Sequence, residues 1–337
     1  MGMSTNTQPR QPSGTPVGGQ FAGKVNPECD LELVEPALDP PRATVSFGHL
    51  ERADRVEAMQ KEIAETIERM SDHEGWIKFL DSVSQFHQYS FGNTMLILSQ
   101  KKDATRVAGF HDWKNKFGRT VKKGEKGIWI LAPMIKKVDT EQDSSKKVDR
   151  LVGFRTVAVF DVSQTEGKPL PESPHIAVSS MNDGEAPPGM VESLSAVIEA
   201  QGFTIERGTT GEAGGYTSFQ SKKVVISEKS NDRQAARTLA HEAAHIVLGH
   251  GERSHEYHTG AGGARPDMEV EAESVAYIVG KSWGIEEAGS YSFGYIDSWA
   301  SGDAKKVRST ADAVVKGARA LLGTMDQAAE IASSAAA

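Results

Sequence analysis

Two histidines and a glutamate stand together in the segment Arg237–Gly251, where His241-Glu242-Ala243-Ala244-His245 forms an HExxH pattern. At 3.6 residues per turn both histidines fall on one helical face, one turn apart, close enough to share a metal ion. Glu242, next to the first of them, can take a proton from metal-bound water. Two nitrogen ligands, a general base and an open coordination position make a zinc hydrolase site. The pattern is short, and in a helix of no special function it would be two solvated histidines on a polar face.

A catalytic zinc ion usually takes three protein ligands. A histidine six residues after His245 would supply the third, but that position is Gly251, and the cluster His250, His255 and His258 fits no ligand spacing. A second helical stretch, opened by Pro266 and Asp267, carries Glu269, Glu271 and Glu273. Glu269 and Glu273 share a face, while Glu271 points roughly the other way. One of the pair can bind the metal. The other can accept the remaining N–H of a ligating histidine, which fixes its tautomer and ring orientation.

The elements that must position these groups are legible nearby. Asn231 followed by Gln234 makes a capping-box start, and Ala235, Ala236, Leu239, Ala240, Ala243, Ala244, Ile246 and Val247 continue a helix that Gly249 and Gly251 end. Upstream, the pattern predicts a helix at 190–201, a strand at 203–207 and a hairpin of 214–218 with 222–226. A packing helix over Val307–Leu322 closes the chain.

The chain has 337 residues, 38% hydrophobic and 25% charged, ordinary values for a soluble globular protein with one to three domains. No apolar run approaches a membrane span and no signal peptide opens the sequence, so no membrane partner is expected. The single Cys29 allows no intramolecular disulfide, which agrees with a cytoplasmic location. The net charge of −8 is unevenly spread. Between Lys101 and Lys137 eleven basic residues face three acidic ones, with Phe110, Trp113, Phe117 and Trp129 interleaved. Cations that track phosphates, with rings on which bases stack, suit binding to single-stranded DNA.

Composition divides the chain into a Pro-, Gly- and Ser-rich disordered leader (1–43), a first domain (44–165), a Pro-rich linker (166–188) and a second domain (189–337). In the first domain a charged amphipathic helix runs from His49 to Met70, and strands are expected at Ile128–Met134 and Leu151–Asp161. A lysine-rich loop at 135–150 separates them.

Several motifs in one order resemble the N-terminal domain of ArdC-type antirestriction proteins. They are Asn93 with its following apolar run, Gly109-Phe-His-Asp-Trp113, Val121-Lys-Lys-Gly-Glu-Lys-Gly127 and Val159-Phe-Asp-Val-Ser-Gln-Thr-Glu166. The likeness continues through Gly215-Tyr216 and the HExxH helix. It implies a single-stranded-DNA-binding domain, with Asn93, Phe110, Trp113, Lys122, Lys123 and Lys126 as contacts. The second half resembles gluzincin metallopeptidases, in which the first Glu of an ExEA motif is the third ligand. By that resemblance Zn2+ is held by His241, His245 and Glu269, Glu242 is the base, and Glu273 supports a histidine. Glu273 stands where a shorter Asp or Asn is usual, so the two carboxylates could exchange roles. In that fold the strand before the metal helix, here Val224–Ile226, pairs with an extended peptide. An oxyanion helper is expected at Tyr277 or His258.

The expectation is an α+β protein of two domains, an α+β single-stranded-DNA-binding domain and a zincin-like metallopeptidase domain. Its function would be a DNA-binding zinc metallopeptidase of antirestriction type, protecting plasmid or phage DNA and acting on a protein or peptide substrate. Two other readings compete. One is a DNA-shielding protein with a structural metal; the other is a peptidase like ImmA/IrrE regulators, cleaving a regulatory protein.

Overall fold

The apolar positions before residue 101 recur at helical spacing, and each such stretch folds as a helix in the computed structural model. The structure describes residues 44–69, 73–140, 143–170, 184–253, 265–285 and 303–335. The leader (1–43) and the middle of the expected linker (171–183) lie outside the described residues. Helix α1 (Arg52–Arg69) buries Met59, Ile63 and Ile67, and α2 (His73–Phe86) buries Trp76, Phe79, Leu80 and Val83. Helix α3 (Phe91–Gln100) starts at Ser90, whose hydroxyl accepts from the Asn93 N–H.

Strand β1 (Val107–Gly109) leads into the short helix α4 (Phe110–Asn115) and then into β2 (Arg119–Val121). Strands β3 (Ile128–Thr140) and β4 (Asp143–Asp161) form a long antiparallel hairpin with a register shift at Met134/Ile135, and β1 adds to the other side of β4. The segment read as a loop at 135–150 is therefore largely strand. Where its side chains are described, at 135–137 and 149–150, apolar and charged residues alike are exposed, so burial imposes no apolar alternation there.

Strand β3 is an edge strand, and α3 covers its open side with side-chain amides. Asn93 donates to the Leu131 carbonyl and accepts from the Leu131 N–H, both at 2.9 Å. Gln100 does the same for Trp129, at 2.8 and 2.9 Å. Two helix turns thus stand in for a missing strand.

The Asp161 carboxylate closes this half. Buried, it accepts from the N–H groups of Thr105, Arg106 and Ser163 at 2.7, 3.1 and 2.9 Å. Gln164 completes a capping box with Asp161 and reaches back to Lys126 O (2.8 Å) and Glu125 (3.0 Å). The Lys122 N–H donates to Gln164 O (3.0 Å), so the Phe-Asp-Val-Ser-Gln motif holds the Lys-Lys-Gly-Glu-Lys-Gly loop in place. Strand β5 (Thr165–Gly167) then pairs with β2, and the Arg119 guanidinium ties Thr165 Oγ1 and O.

The second half runs α5 (Met190–Ala200), β6 (Thr204–Gly208), β7 (Gly215–Ser218), β8 (Lys223–Ser227), α6 (Asp232–Val247), α7 (Arg265–Ser282) and α8 (Ala304–Ala335). The expected hairpin is β7 with β8, turned at Lys222 with φ +49°. Strand β8 also pairs in parallel with β6, so it is central. This corrects the assignment of Val224–Ile226 as a peptide-pairing strand: both its edges are taken, and β6 and β7 are the edge strands.

Helix α7 is packed by elements from both sides of the Pro-rich segment. Trp76 donates to Ser274 Oγ (3.0 Å), the Tyr277 hydroxyl and Lys281 both reach Asp81, and Ser282 donates to Ser84 O (3.1 Å). One apolar cluster includes Trp76 and Phe79 together with Val275, Ile278, Val314 and Leu321. No helix among the described residues is long and apolar enough to cross a membrane.

Burial pushes the Asp161 carboxyl up, but the hydrogen bonds from Ser163, Thr105 and Arg106 outweigh it and hold it below its ordinary value. A depressed folded-state pKa contributes stability above the unfolded value, near pH 4, that is lost as pH falls through the folded one. Asp161→Ala strands these N–H donors and should cost about 1–3 kcal/mol or more at pH 7. In urea unfolding the gap from wild type should narrow towards pH 3. A gap unchanged from pH 7 to pH 3 would contradict the assignment.

Candidate metal centre and basic face

Helix α6 begins with a reciprocal capping box, Gln234 N–H to Asn231 Oδ1 at 2.9 Å and Asn231 N–H to Gln234 Oε1 at 3.1 Å. Ala240, Ala243 and Ala244 bury one of its sides, and α7 packs beside it with Ala272 and Ala276 buried. Small residues let the helices approach, and the imidazoles of α6 reach carboxylates of α7. His241 Nε2 and His245 Nε2 lie 3.1 Å apart, with a Glu269 oxygen 3.5 Å from the first and 3.7 Å from the second. Donors about 2.0–2.1 Å from a tetrahedral zinc ion would be about 3.3 Å apart, so the three groups fit such an ion.

Around this triad each neighbouring side chain has a specific contact. Glu273 lies 2.8 Å from His241 Nδ1, on the opposite side of the ring from Nε2. Glu242 is buried, and the Thr217 hydroxyl of strand β7 donates to it at 2.7 Å. A cleft of about 590 Å³ opens beside them, lined by Gly214, Gly215, Arg237, Thr238, His241, Glu242 and Glu273. His250 is 3% exposed, its Nδ1 2.7 Å from His245 Nδ1 and its Nε2 2.9 Å from Glu271. Glu271, read as turned away from the site, is therefore joined to it through His250.

Spacing arguments missed Thr217, His250 and Glu271. The signal for His250 was Gly249, which marks the left-handed end of α6, since the residue after such a glycine folds back over the last turn. At Gly251, where another family would place a ligand, a Cβ would run into the Phe219 ring. The Tyr277 hydroxyl binds Asp81 and does not face the cleft; His255 and His258 lie outside the described residues.

The electrostatics call for a cation. Burial would push the His241 imidazole down, but Glu269, Glu273 and Glu242 outweigh it and hold its pKa at about 10. Glu269 is lowered: burial opposes this, and the two histidines overcome it.

In the first half, Phe110 is 48% exposed at the start of α4. Its ring lies 6.3 Å from Phe160, which in turn would be 3.5 Å from a Cβ on Gly127, so Phe110 and the Lys122–Lys126 loop share a side of the sheet. Lys122, Lys123 and Lys126 are exposed, the first donating also to Ser163 O at 2.9 Å. Two expected contacts are corrected. Trp113 is 1% exposed with its indole N–H on Phe160 O (2.8 Å), which leaves no face for a base, and Asn93 is engaged by strand β3. Arm residues Lys136, Lys137, Arg150 and Arg155 are exposed, as are Met134, Ile135 and Phe154, which the loop reading did not anticipate.

Metal binding at His241 must displace the proton held there below about pH 10. Zinc affinity, measured by chelator competition, should rise about tenfold per pH unit between pH 6 and 8. In the metal-free protein the raised pKa contributes stability below pH 6.5 that is lost as pH rises towards about 10. A zinc affinity independent of pH would contradict this.

Residues 53–160 match the family model described as the N-terminal domain of anti-restriction factor ArdC. An uncharacterized protein of Bacillus anthracis is 26% identical over 281 residues, 72% of this chain; the chain spans 46% of that relative's length. Crystal structures of the antirestriction ArdC protein from the R388 plasmid are similar at 20% identity and a TM-score of 0.43. The metal-free form covers 70% of this chain and 85% of that one, and the Mn(II)-bound form 69% and 84%. The basic segment of the chain, residues 53–160, is thus similar to the N-terminal domain of anti-restriction factor ArdC.

Proposed function

We propose that the chain is an antirestriction protein of ArdC type that joins a single-stranded-DNA-binding face to a zinc-dependent peptidase site, protecting plasmid or phage DNA. The observation that carries this reading is the convergence of His241, His245 and Glu269, with Glu242 held beside them by Thr217. A donor set of two imidazoles and one carboxylate with an open side suits catalytic zinc better than manganese, which prefers oxygen-rich sites. When bound, zinc supplies Lewis acidity towards a water molecule and a peptide carbonyl.

The chain's own residues do the rest. Glu242 accepts the proton of the attacking water, and the Thr217 hydroxyl fixes the carboxylate's orientation. Glu273 accepts from Nδ1 of His241 and so leaves Nε2 facing the site. Strand β7, on the edge of its sheet and bordering the cleft at Gly215, offers backbone groups to an extended peptide. A structural metal needs no buried carboxylate beside its first ligand, which favours the enzyme over a pure shield. On the other half, Lys122, Lys123 and Lys126 meet phosphates and Phe110 stacks on a base.

One set of variants tests both halves. Glu242→Gln should keep one zinc per chain, bind DNA normally and lose protection of transferred DNA in cells. Glu269→Ala should lose the metal. Each lysine removed should flatten the salt dependence of single-strand binding by roughly 0.7 units of log–log slope, and Phe110→Ala should cost about 1–3 kcal/mol at any salt. Retained protection in Glu242→Gln with lost protection in the lysine variants would replace the peptidase by a DNA shield. Full zinc occupancy in Glu269→Ala would remove the ligand assignment.

A further inference from the structure

Helix α6 ends in a motif that returns the chain to its own last turn. Gly249 takes φ +69°, its N–H donates to Ile246 O and the His250 N–H donates to His245 O, both at 3.0 Å. This is the pairing of a Schellman end, in which the second residue past the cap lies against the third from the end. The backbone therefore brings residue 250 to residue 245 whatever its side chain. Here both are histidines, and their Nδ1 atoms meet at 2.7 Å.

Two imidazoles that share one hydrogen bond must agree on which carries the proton. The other side of His250 decides it. Its Nε2 lies 2.9 Å from Glu271, whose same oxygen accepts from Arg253 at 3.1 Å. A bare nitrogen facing a carboxylate would be repelled, so His250 carries its proton on Nε2 and donates it to Glu271. Its Nδ1 is then an acceptor. His245 must donate from its own Nδ1, which leaves its Nε2 an acceptor for His241 Nε2–H, 3.1 Å away and nearer than Glu269 at 3.7 Å. The opposite arrangement would put a proton on His245 Nε2, where no metal could then bind. Both His250 and Glu271 are buried, so water does not compete for these bonds.

We propose that His250, oriented by Glu271 and Arg253, is a positioning residue that sets the tautomer of His245 and so prepares its Nε2 as a metal ligand. This rests on the metal-centre reading above. His241 receives the same service from Glu273 directly. The two ligands are thus supported differently, one by a carboxylate and the other through an intervening imidazole.

The full-length protein with 15N-labelled histidine tests this without metal. At pH 8 the ring nitrogen shifts of His245 should report a proton on Nδ1. In His250→Leu they should move towards the Nε2–H form, and zinc affinity should fall about 10- to 100-fold. His250→Asn places an amide oxygen near the former Nδ1 and should recover most of that loss. A proton on His245 Nε2 in the wild type, or unchanged zinc affinity in a folded His250→Leu, overturns the proposal. Should the leucine variant not fold, the wild-type tautomer and the asparagine variant decide. Absence of zinc binding by the wild type would instead remove the metal-centre reading, and the tautomer measurement would still judge His250.

Discussion

The close approach of α6 and α7 is the constraint on which the rest depends. Imidazole and carboxylate side chains are short, so three donors can meet only if their helices lie near the lower end of the usual 8–10 Å spacing. Alanines at 240, 243 and 244 on one helix and at 272 and 276 on the other are buried. Ala272 and Ala276 stand on the same face of α7 as Glu269 and Glu273, so a valine or leucine at either should push Glu269 away from the histidines. The same approach brings Glu273 to His241 and, through the fold-back after Gly249, Glu271 to His250.

Helix α7 is held from several sides. Its Glu269 and Glu273 face α6, Trp76 and Asp81 of α2 take its Ser274 and Tyr277, and the C-terminal helix covers the remainder with Val314 and Leu321. The carboxylates of the candidate centre are thus fixed by a helix whose packing includes the N-terminal elements. On the opposite side of the molecule's chemistry, a second polar tie, Asp161 with Gln164, fixes the lysine-rich loop beside Phe110.

What could be read from the sequence was local. The capping box of Asn231 and Gln234, the shared face of His241 and His245, and the pairing of Glu269 with Glu273 on one face all follow from helical period. The β7–β8 turn followed from alternation. Misplaced features depended on tertiary partners. Strand β8 is interior because β6 pairs with it across a helix-free stretch of chain, and nothing within Val224–Ile226 signals that. Trp113 reads as an exposed ring among lysines until Phe160 O is seen to accept its N–H. Asn93 reads as a polar contact residue until strand β3 is found to lack a neighbour there. Period also sent Glu271 away from the site, correctly as to its helix face, while His250 came to meet it from the next turn of chain.

The central claim is that His241, His245 and Glu269 converge on one zinc ion. Anomalous diffraction at the zinc edge, from crystals of the full chain grown with zinc, tests it most directly. The account predicts one strong peak about 2.0–2.2 Å from Nε2 of both histidines and from a Glu269 carboxylate oxygen, with Glu242 and Glu273 outside bonding distance. A peak bonded to Glu273 in place of Glu269, or no peak between α6 and α7, would contradict it.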